Sequence, residues 1–353
     1  MAGRVSPSEP ADLLAKIRGF VRLVLEDLCN GRPPSVALDR FKTYCSDPSG
    51  NCSCSTDLPC GKDIVSLESK SHAYRIDIML RLLLIIQQLL QENKHASKRD
   101  IYYMEPSVFQ DQGNVDRAIN DICILLECSR HHLNVVPMGK GLVMGWLRFI
   151  EAGRKVNCIK NPNDGFPVPI CIEETKDIVS VAQYILVVEK ETVFQRLAND
   201  KFCERNRCIV ITGRGYPDAP TRRNGLTFLV NPVYADPYGF DILTTYRFGS
   251  MQMAYDAKIF RVPGIYWLGV FLSDSEKYCL PNRCLLNLTA KDKQKAEAIL
   301  MRCYLHREAP KWRLELEIML DKGVKYEIEA LSASSLSFLS TYIPQQIQGR
   351  HYI

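Results

Sequence analysis

Three short apolar runs in the middle of the chain constrain its fold more than any other feature. The first two are Tyr184–Val188 and Cys208–Thr212. The third, Leu226–Val230, is broken only by Thr227. Apolar runs of this length are typical of strands that are buried on both faces. Because the helix-like segment Glu191–Leu197 separates the first two runs, the pattern predicts an open parallel sheet.

Polar residues follow each of these runs. Glu189 comes directly after the first run, Gly213-Arg214-Gly215 after the second, and Asp236 shortly after the third. Ligand sites of open parallel sheets lie at the carboxyl ends of the strands, and converging carboxylates suit Mg²⁺, which prefers oxygen ligands. Either acid alone also fits a helix cap or a surface position. Together with the loop between them, Glu189 and Asp236 predict a metal site.

The region before this sheet has a different pattern. Ser71–Glu92 is strongly apolar and helical, and Ser97 is placed to cap a short helix that carries Arg99 and Tyr103. Asn114 similarly opens a helix over Val115–Glu127, with apolar residues at three- and four-residue steps. A phenol beside basic residues on such a helical module suggests a nucleophile for a phosphodiester, and from the spacing alone the alternative is that Tyr102 and Tyr103 are ordinary half-buried aromatic residues.

A hairpin is expected after the third helix. Leu133–Val136 and Leu142–Leu147 flank the turn Met138-Gly139-Lys140-Gly141, whose glycines permit positive φ. Three helices followed by a hairpin match a winged helix. The candidate phosphate contacts share a basic side chain near these elements: Arg117, Arg130, His131, His132 and Lys140. A solvated basic rim is the alternative, and the net charge of +5 is compatible with both.

The first part of the chain combines a helix with an irregular stretch. Ala11–Leu28 has apolar residues at helical spacing and either packs on the body of the protein or docks a partner. Asn30–Glu68 is rich in Pro, Ser, Asp and Gly and is interpreted as a linker. The linker holds a cluster of cysteines: Cys45, Cys52, Cys54 and Cys60. Its spacing lacks paired C-x2-C knuckles, so a cysteine-bearing loop is the interpretation and a zinc site the alternative.

Length and composition bound the remaining possibilities. The 353 residues fit two domains, with a polar boundary at Glu151–Thr175. The tail is expected to form helices over Ala290–Leu305, Lys311–Leu320 and Ile328–Leu339. The first ten residues are polar, so we expect no secretory signal peptide, and the 14 cysteines then indicate reduced, intracellular thiols. The apolar run Ile78–Leu90 contains Arg81 and is too short to span a membrane.

Several motifs in order resemble the topoisomerase VI A-subunit family, and most closely its eukaryotic branch of sporulation-eleven meiotic double-strand-break proteins, with a sequence nearest the plant members. These motifs are Lys98–Tyr103, Val187–Glu191, Thr212–Asp218 and Asp236–Gly239. The resemblance runs from Ala11 to Phe338.

This resemblance implies an α/β, multi-domain fold class: a winged-helix DNA-binding domain followed by a Toprim Rossmann-like domain with C-terminal helices. The implied boundaries are 1–69 for the amphipathic helix and linker, 70–150 for the winged helix with the nucleophile, and 176–353 for the Toprim domain and its helical extension. The implied function is a DNA transesterase that makes the double-strand breaks of meiotic recombination. Its enzyme class, by family, is the ATP-hydrolysing DNA topoisomerases.

The resemblance also implies roles for individual residues. Tyr103, the second tyrosine of the pair, would attack DNA and form a 5′-phosphotyrosyl link, with Arg99 stabilising the charge that develops. Glu189 and Asp236 would hold Mg²⁺. The implied DNA contacts are Arg117, Arg130, Lys140 and Arg214. The implied partners are double-stranded DNA, a topoisomerase-VI-B-like protein and a second copy or paralogue of the A type; the nucleus is the implied location, and no membrane is involved.

One motif departs from the family pattern. Where the family usually reads Asp-x-Asp-Pro-x-Gly, this chain has Tyr234-Ala235-Asp236-Pro237, so the first aspartate is missing. The preceding stretch Asn224–Val233 is short for the helix and strand that the family has there, and Asn231-Pro232 is expected to interrupt a central strand. The alternative is therefore an isoform that binds DNA and partners without cutting. A winged-helix regulator from outside the family would leave Glu189 and the Gly-Arg-Gly loop unexplained.

Overall fold

The structure is a computed structural model with two compact units. It describes residues 9–47, 52, 54, 58–136, 139–160, 165–170, 175–224, 229–232, 236–255, 257–272, 284–327, 329 and 335–353. The N-terminal unit comprises Met1–Lys42, Ser55–Met138 and Gln252–Asp256. The C-terminal unit comprises Thr43–Cys54, Gly139–Met251 and Ala257–Ile353. The boundary after Met138 replaces the one expected at Glu151–Thr175, and the first 42 residues are part of the N-terminal unit instead of a separate segment.

The N-terminal unit is built on helices. They are α1 (Pro10–Cys29), α2 (Lys70–Glu92), α3 (Lys98–Met104), α4 (Pro106–Phe109) and α5 (Gln112–Leu125), followed by a 3-10 turn at Arg130–Leu133. The predicted apolar face of α5 is confirmed as buried: Val115, Ile119, Ile122 and Leu126. Helix α1 also forms as predicted and packs on α2, although the buried stripe is Leu13, Ile17, Phe20 and Val24, and Leu28 is exposed.

A β-hairpin occupies part of the stretch that the sequence pattern predicts as a linker. Strands β1 (Ser35–Arg40) and β2 (Gly61–Ser66) pair antiparallel, so the prediction of irregular structure over Asn30–Glu68 is wrong there. Val36 and Leu38 alternate with more exposed residues and enter the core of the unit. This alternation is too short to stand out beside the Pro- and Ser-rich residues that follow it.

The expected wing at Leu133–Leu147 does not form. The short strands β3 (Ala96–Ser97) and β4 (Val135–Val136) pair with each other in parallel, and β5 (Leu142–Gly145) pairs antiparallel with two strands of the C-terminal unit. All four residues of β5 are buried. Its continuous apolar sequence belongs to a strand covered on both faces, whereas a solvent-facing wing would show alternation. Pro137 and Met138 of the expected turn lie outside the described residues.

The C-terminal unit is organised around the predicted sheet. Its strands are β5, β8 (Phe166–Pro167), β10 (Ile185–Val188), β11 (Ile209–Thr212), β12 (Leu229–Pro232) and β13 (Tyr266–Gly269). The order is β13-β12-β10-β11-β5-β8, and the first four strands are parallel. The predicted parallel arrangement is confirmed for β10, β11 and β12, and residues 226–228 of the third predicted run lie outside the described residues. Strand β12 is central even though it contains Asn231 and Pro232, and the register with β13 shifts at this pair. This irregularity accommodates Pro232, which has no backbone N–H to donate to the hydrogen bonds between the strands.

A second sheet borders the stretch expected to be a polar connection and places one short strand, Arg154–Asn157, inside it. Strands β6 (Leu147–Glu151), β7 (Arg154–Asn157) and β9 (Lys176–Ser180) form it in the order β7-β6-β9. Ala152 and Gly153 both have positive φ and join β6 to β7 in a two-residue turn. The stretch Glu151–Thr175 therefore contains the short strands β7 and β8, and the division between the two units does not fall in it. Its residues 161–164 and 171–174 lie outside the described residues.

Helices cover the sheet and form most of the tail. They are α6 (Glu191–Asn199), α7 (Phe202–Asn206), α8 (Ala219–Asn224), α9 (Pro237–Phe248), α10 (Ala257–Phe260), α11 (Ala290–Leu300), α12 (Cys303–Arg307), α13 (Pro310–Lys322) and α14 (Phe338–Gln348). Strands β14 (Leu286–Asn287) and β15 (Val324–Lys325) form a small antiparallel pair. Of the last predicted helix, Ile328–Leu339, residues 328 and 330–334 lie outside the described residues, and among residues 335–339 the helix begins at Phe338. Across the described part of the chain, none of the helices has the length and apolar character required to span a membrane.

Candidate functional site

Tyr103 lies on a short helix whose first turn is fixed by its own side chains. The Ser97 hydroxyl accepts a hydrogen bond from the Asp100 amide at 3.1 Å, and the Asp100 carboxylate accepts one from the Ser97 amide at 2.9 Å. This reciprocal capping box satisfies amides that a helix start leaves unpaired. Ile101 is fully buried and anchors the opposite side. A helix of seven residues is thereby held in place.

The two tyrosines of the pair differ in exposure. Tyr103 is 64% exposed, whereas Tyr102 is partly buried against the core of the N-terminal unit. Their rings meet edge to face, with centroids 5.2 Å apart. The phenol of Tyr103 is therefore accessible to a large substrate, and Tyr102 supports its ring.

The basic residues of this helix have different surroundings. The Lys98 ammonium lies 2.7 Å from the Asp116 carboxylate on α5, and burial lowers the pKa of Lys98. Arg99 is exposed on the same helix as Tyr103. Arg117 is exposed on α5, whereas the Arg130 guanidinium donates to the Asn120 side chain at 2.7 Å. Of the predicted DNA contacts Arg117 and Arg130, Arg117 is the more exposed, and the predicted catalytic residue Arg99 is exposed as well.

In the C-terminal unit, Glu189 directly follows β10 and has an unusual environment. Its Oε2 is buried and has no hydrogen-bond partner among the described residues. Burial, followed by the nearby charge of Asp236, raises the pKa of Glu189 to about 8. A carboxylate that is withdrawn from water without a donor is costly. The position therefore favours a cation beside Glu189.

Asp236 stands at the start of α9. Its Oδ2 accepts hydrogen bonds from the amides of Tyr238 and Gly239, at 3.1 and 3.3 Å, and so caps this helix. Its Oδ1 lies 2.9 Å from the Lys325 ammonium, which is also 3.0 Å from Asp292. Tyr234 and Ala235, the altered part of the predicted motif, lie outside the described residues.

The Gly-Arg-Gly loop closes over the end of β10. The Thr212 hydroxyl and the Gly215 amide both donate to the carbonyl of Glu189, at 3.1 and 3.0 Å. A Cβ at Gly213 would lie 3.0 Å from the backbone of Pro217, so the turn has little room for a side chain. The Arg214 guanidinium lies 2.8 Å from the Glu191 carboxylate. The loop thus holds a positive side chain near the predicted metal ligands.

Lys140 belongs to this loop and not to a wing of the N-terminal unit. Its amide donates to the Asp218 carboxylate at 2.8 Å, and its ammonium lies 3.5 Å from the carbonyl of Arg214. The expectation that Lys140 and Arg130 share a winged-helix surface is therefore wrong, because β5 carries Lys140 into the C-terminal unit. Lys140 instead contacts the Gly-Arg-Gly loop, whose Gly215 amide donates to the carbonyl of Glu189.

A buried acid that sequence reasoning missed supports this loop. Asp241 on α9 accepts a hydrogen bond from the Tyr216 phenol, and it pairs with Lys295 at 2.7 Å and Arg302 at 2.6 Å. Burial raises the pKa of Asp241, but these two cations outweigh it and hold the pKa below its usual range. Lys295 and Lys325 were also missed, because Lys295 is far in sequence from Asp241 and Lys325 is far from Asp236. Asp241 could have been found as an acid inside an otherwise apolar stretch of helix.

The donor set at Glu189 and Asp236 fits a divalent cation. Both residues offer carboxylate oxygens, and the Glu189 Oε2 is buried without a donor among the described residues. The charge of Asp236 is near enough to contribute to the raised pKa of Glu189. Hard cations such as Mg²⁺ take oxygen ligands and keep several waters for a phosphate. The Lys325 ammonium occupies part of this region and supplies one positive charge.

Comparison with known proteins agrees with this geometry. Residues 184–347 match the Toprim-domain family of Spo11 and the A subunit of topoisomerase 6, and residues 74–135 match "Type IIB DNA topoisomerase". The second match falls within the N-terminal unit, and the first falls within the C-terminal unit except for Gln252–Asp256. The predicted α/β fold class, with a DNA-binding domain of this family followed by a Toprim domain and C-terminal helices, is therefore confirmed. The correction concerns the wing, which Leu133–Leu147 does not form.

Curated relatives cover nearly the whole chain. "Meiotic recombination protein SPO11-1" of Oryza sativa subsp. japonica is 65% identical over 97% of this chain and 93% of the relative. The protein of the same name from Arabidopsis thaliana is 60% identical over 99% of this chain and 98% of the relative. The A subunit of DNA topoisomerase 6 from Arabidopsis thaliana is 37% identical over 81% and 68%. The chain therefore belongs to the family of Spo11 and the topoisomerase VI A subunit.

Proposed function

We propose that this chain is a DNA transesterase that makes the double-strand breaks of meiotic recombination. The observation that carries the proposal is the exposed phenol of Tyr103 on a rigidly capped helix that also bears Arg99. The relatives at 60% and 65% identity are named meiotic recombination proteins, which supports the biological setting and, with it, a place in the nucleus.

The proposed reaction exchanges one phosphodiester for another. The Tyr103 oxygen attacks the phosphorus and forms a 5′-phosphotyrosyl bond, while the bond from phosphorus to the 3′ oxygen breaks and that oxygen leaves as a hydroxyl. Phenols ordinarily have a pKa of about 10, so the phenol passes its proton to water as the bond to phosphorus forms, and the departing 3′ oxygen takes a proton from water. Arg99 donates hydrogen bonds to the phosphorane oxygens, where negative charge accumulates.

The C-terminal unit is proposed to hold the substrate phosphates. Glu189 and Asp236 would bind Mg²⁺, which neutralises phosphate charge when it is bound. Arg214 and Lys140 add fixed positive charge beside Glu189 and contact the backbone of the DNA. When Asp236 binds the metal ion in place of Lys325, the Lys325 ammonium keeps its contact with Asp292, so the positive charge of Lys325 stays at the site.

We extend the proposal to assembly. A double-strand break needs two nucleophiles and this chain offers one Tyr103, so a second A-type subunit, identical or paralogous, completes the active form. A topoisomerase-VI-B-like protein is the further partner. By family, ATP hydrolysis accompanies the complete topoisomerase reaction, and we assign it to that partner, since the break itself conserves the number of phosphodiester bonds.

Covalent trapping tests the proposal directly. The purified chain, with its partner, is incubated with end-labelled double-stranded DNA and Mg²⁺, and protein is then denatured with detergent. Label that stays with the protein until protease treatment, and only when Mg²⁺ was present, supports the proposal. Complete absence of trapped DNA under conditions where the chain binds DNA contradicts it.

Glu189→Gln is expected to lower Mg²⁺-dependent cleavage by at least about 100-fold, the order found when one preorganised electrostatic group is lost. The amide keeps the shape of the side chain but removes its charge. Calorimetric titration with Mg²⁺ should show weaker binding in the same variant. Glu204→Gln, at an exposed position on α7, is the matched control and should leave both measurements unchanged. Equal losses in the two variants would contradict a specific role for Glu189.

The Arg117→Ala/Lys140→Ala double variant is expected to flatten the salt dependence of DNA binding. Each lost phosphate contact lowers the slope of log affinity against log salt by about 0.9, so the pair lowers it by about 1.8. Fluorescence anisotropy at several salt concentrations measures the slope. Lys94→Ala is the control, because that ammonium already pairs with Glu92 at 2.7 Å. An unchanged slope in the double variant would remove both residues from the DNA surface.

A form of the protein that binds without cutting is the second candidate. Two features favour it: the first aspartate of the motif is missing, and the remaining Asp236 carboxylate is paired with the Lys325 ammonium. Tyr234→Asp restores that carboxylate and is expected to strengthen Mg²⁺ binding by about tenfold or more, the scale of one additional ligand-shell interaction. Calorimetry measures the change and Tyr234→Asn is its uncharged control. Cleavage that appears only with Tyr234→Asp would favour the non-cutting form for the natural sequence.

A further inference from the structure

Four cysteine thiols converge in the C-terminal unit. The sulfur atoms of Cys45, Cys52, Cys54 and Cys303 all lie within 4.8 Å of one another. Cys303 is fully buried at the start of α12, and the other three come from the segment Thr43–Cys54. Cys60, the fourth member of the cluster seen in the sequence, is exposed and belongs to the other unit.

This spacing suits tetrahedral coordination. Zinc binds thiolates at about 2.3 Å, which places the sulfurs of a four-cysteine site about 3.8 Å apart. The observed cluster reaches that size if each sulfur moves by less than about 1 Å, which side-chain rotation supplies. A disulfide would need only two of the four thiols, and all four are free.

The groups around the cluster also suit a metal-bound set of thiolates. The Cys45 amide donates to the Cys303 sulfur at 3.4 Å, and the Cys303 amide donates to the Cys45 carbonyl at 3.1 Å. The Arg307 guanidinium lies 3.8 Å from the Cys52 sulfur and donates to the carbonyls of Cys52 and Cys54. Four thiolates around Zn²⁺ leave a net negative charge, which amide donors and a guanidinium offset.

The donor type selects the ion. Soft thiolates favour zinc over the hard cations that carboxylates prefer, so this cluster and the Glu189–Asp236 pair would take different metals. Four protein thiolates fill a tetrahedron and leave no open position for substrate. Closed sites of this kind are structural.

We propose that Cys45, Cys52, Cys54 and Cys303 bind one zinc ion that fastens the segment Thr43–Cys54 to helix α12. At both ends of this segment the chain passes between the two units. The Tyr44 ring already meets Tyr304 of α12 edge to face, with centroids 5.5 Å apart. The ion therefore adds coordination to an aromatic contact between the same two elements.

Metal analysis of the purified full chain tests the site independently of any DNA cleavage. The wild-type chain is expected to carry about one zinc by mass spectrometry of the metal, as coordination by a single closed site requires. Cys303→Ser should lose it, while Cys60→Ser and Glu189→Gln should retain it. Loss of zinc with Glu189→Gln would place the ion at the acidic site and overturn the proposal.

Cobalt substitution needs no variant and so stands even if Cys303→Ser fails to fold. Wild-type chain reloaded with Co²⁺ should show intense thiolate-to-cobalt charge-transfer absorption together with the visible bands of a tetrahedral ion. A spectrum without charge transfer, or a zinc-free chain in which mass spectrometry finds Cys45, Cys52, Cys54 and Cys303 joined as disulfides, overturns the proposal.

Discussion

Tyr103→Phe is expected to abolish covalent attachment to DNA while leaving non-covalent affinity nearly unchanged. The substitution removes the one oxygen that forms the bond to phosphorus and keeps the ring that packs against Tyr102. Because Tyr103 is 64% exposed and its hydroxyl is not part of the helix cap, the fold should be preserved. Detergent-resistant attachment measures the loss, and anisotropy on uncut DNA measures the retained affinity.

Tyr102→Phe is the matched control on the same helix. Its ring is partly buried in the N-terminal unit and supports Tyr103 by an edge-to-face contact, which phenylalanine retains. Attachment should therefore fall only slightly. The assignment of the nucleophile would be wrong if Tyr102→Phe were the inactive variant and Tyr103→Phe the active one.

The sequence predicts the parallel sheet well because its signal is local and strong. Ile185–Val188 and Ile209–Thr212 are short, unbroken and apolar, and each is buried along its whole length. The same signal is present in Leu142–Gly145, but the helices before it favour a hairpin as the continuation of the chain. The order of elements along the chain suggests that β5 pairs with the strand just before it. Because β5 is buried on both faces, it instead joins the central sheet and pairs with β11.

The candidate site shows a similar limit. Glu189 and the capped helix of Tyr103 follow from local patterns, and both form as expected. The partners that set the charge at the site, Lys325 on Asp236 and Lys295 on Asp241, come from far along the chain and have no local signature. Cys303 is a further case, because its distance in sequence from Cys45 hides the fourth member of the thiol cluster.

A mixture of Tyr103→Phe chains with Glu189→Gln chains is expected to nick DNA, although neither variant alone cuts. Tyr103 and Glu189 lie on different compact units of the chain, which permits an active site that takes its nucleophile and its metal ligands from different subunits. We propose this arrangement because a monomer bound to DNA would then be unable to cut. In a mixed dimer, one of the two composite sites keeps both Tyr103 and Glu189.

The two chains carry different affinity tags, and only dimers that retain both tags are assayed on supercoiled plasmid. Composite sites predict single-strand nicks without double-strand breaks, since the other site lacks both functional groups. Sites contained within one subunit predict no cutting at all. The reciprocal control pairs wild-type chain with a Tyr103→Phe/Glu189→Gln double variant: composite sites leave that dimer inactive, whereas single-subunit sites leave it able to nick. Under either arrangement, one mixture nicks DNA and the other does not. A failure of dimerisation would leave both mixtures inactive, so it is distinguishable from both arrangements.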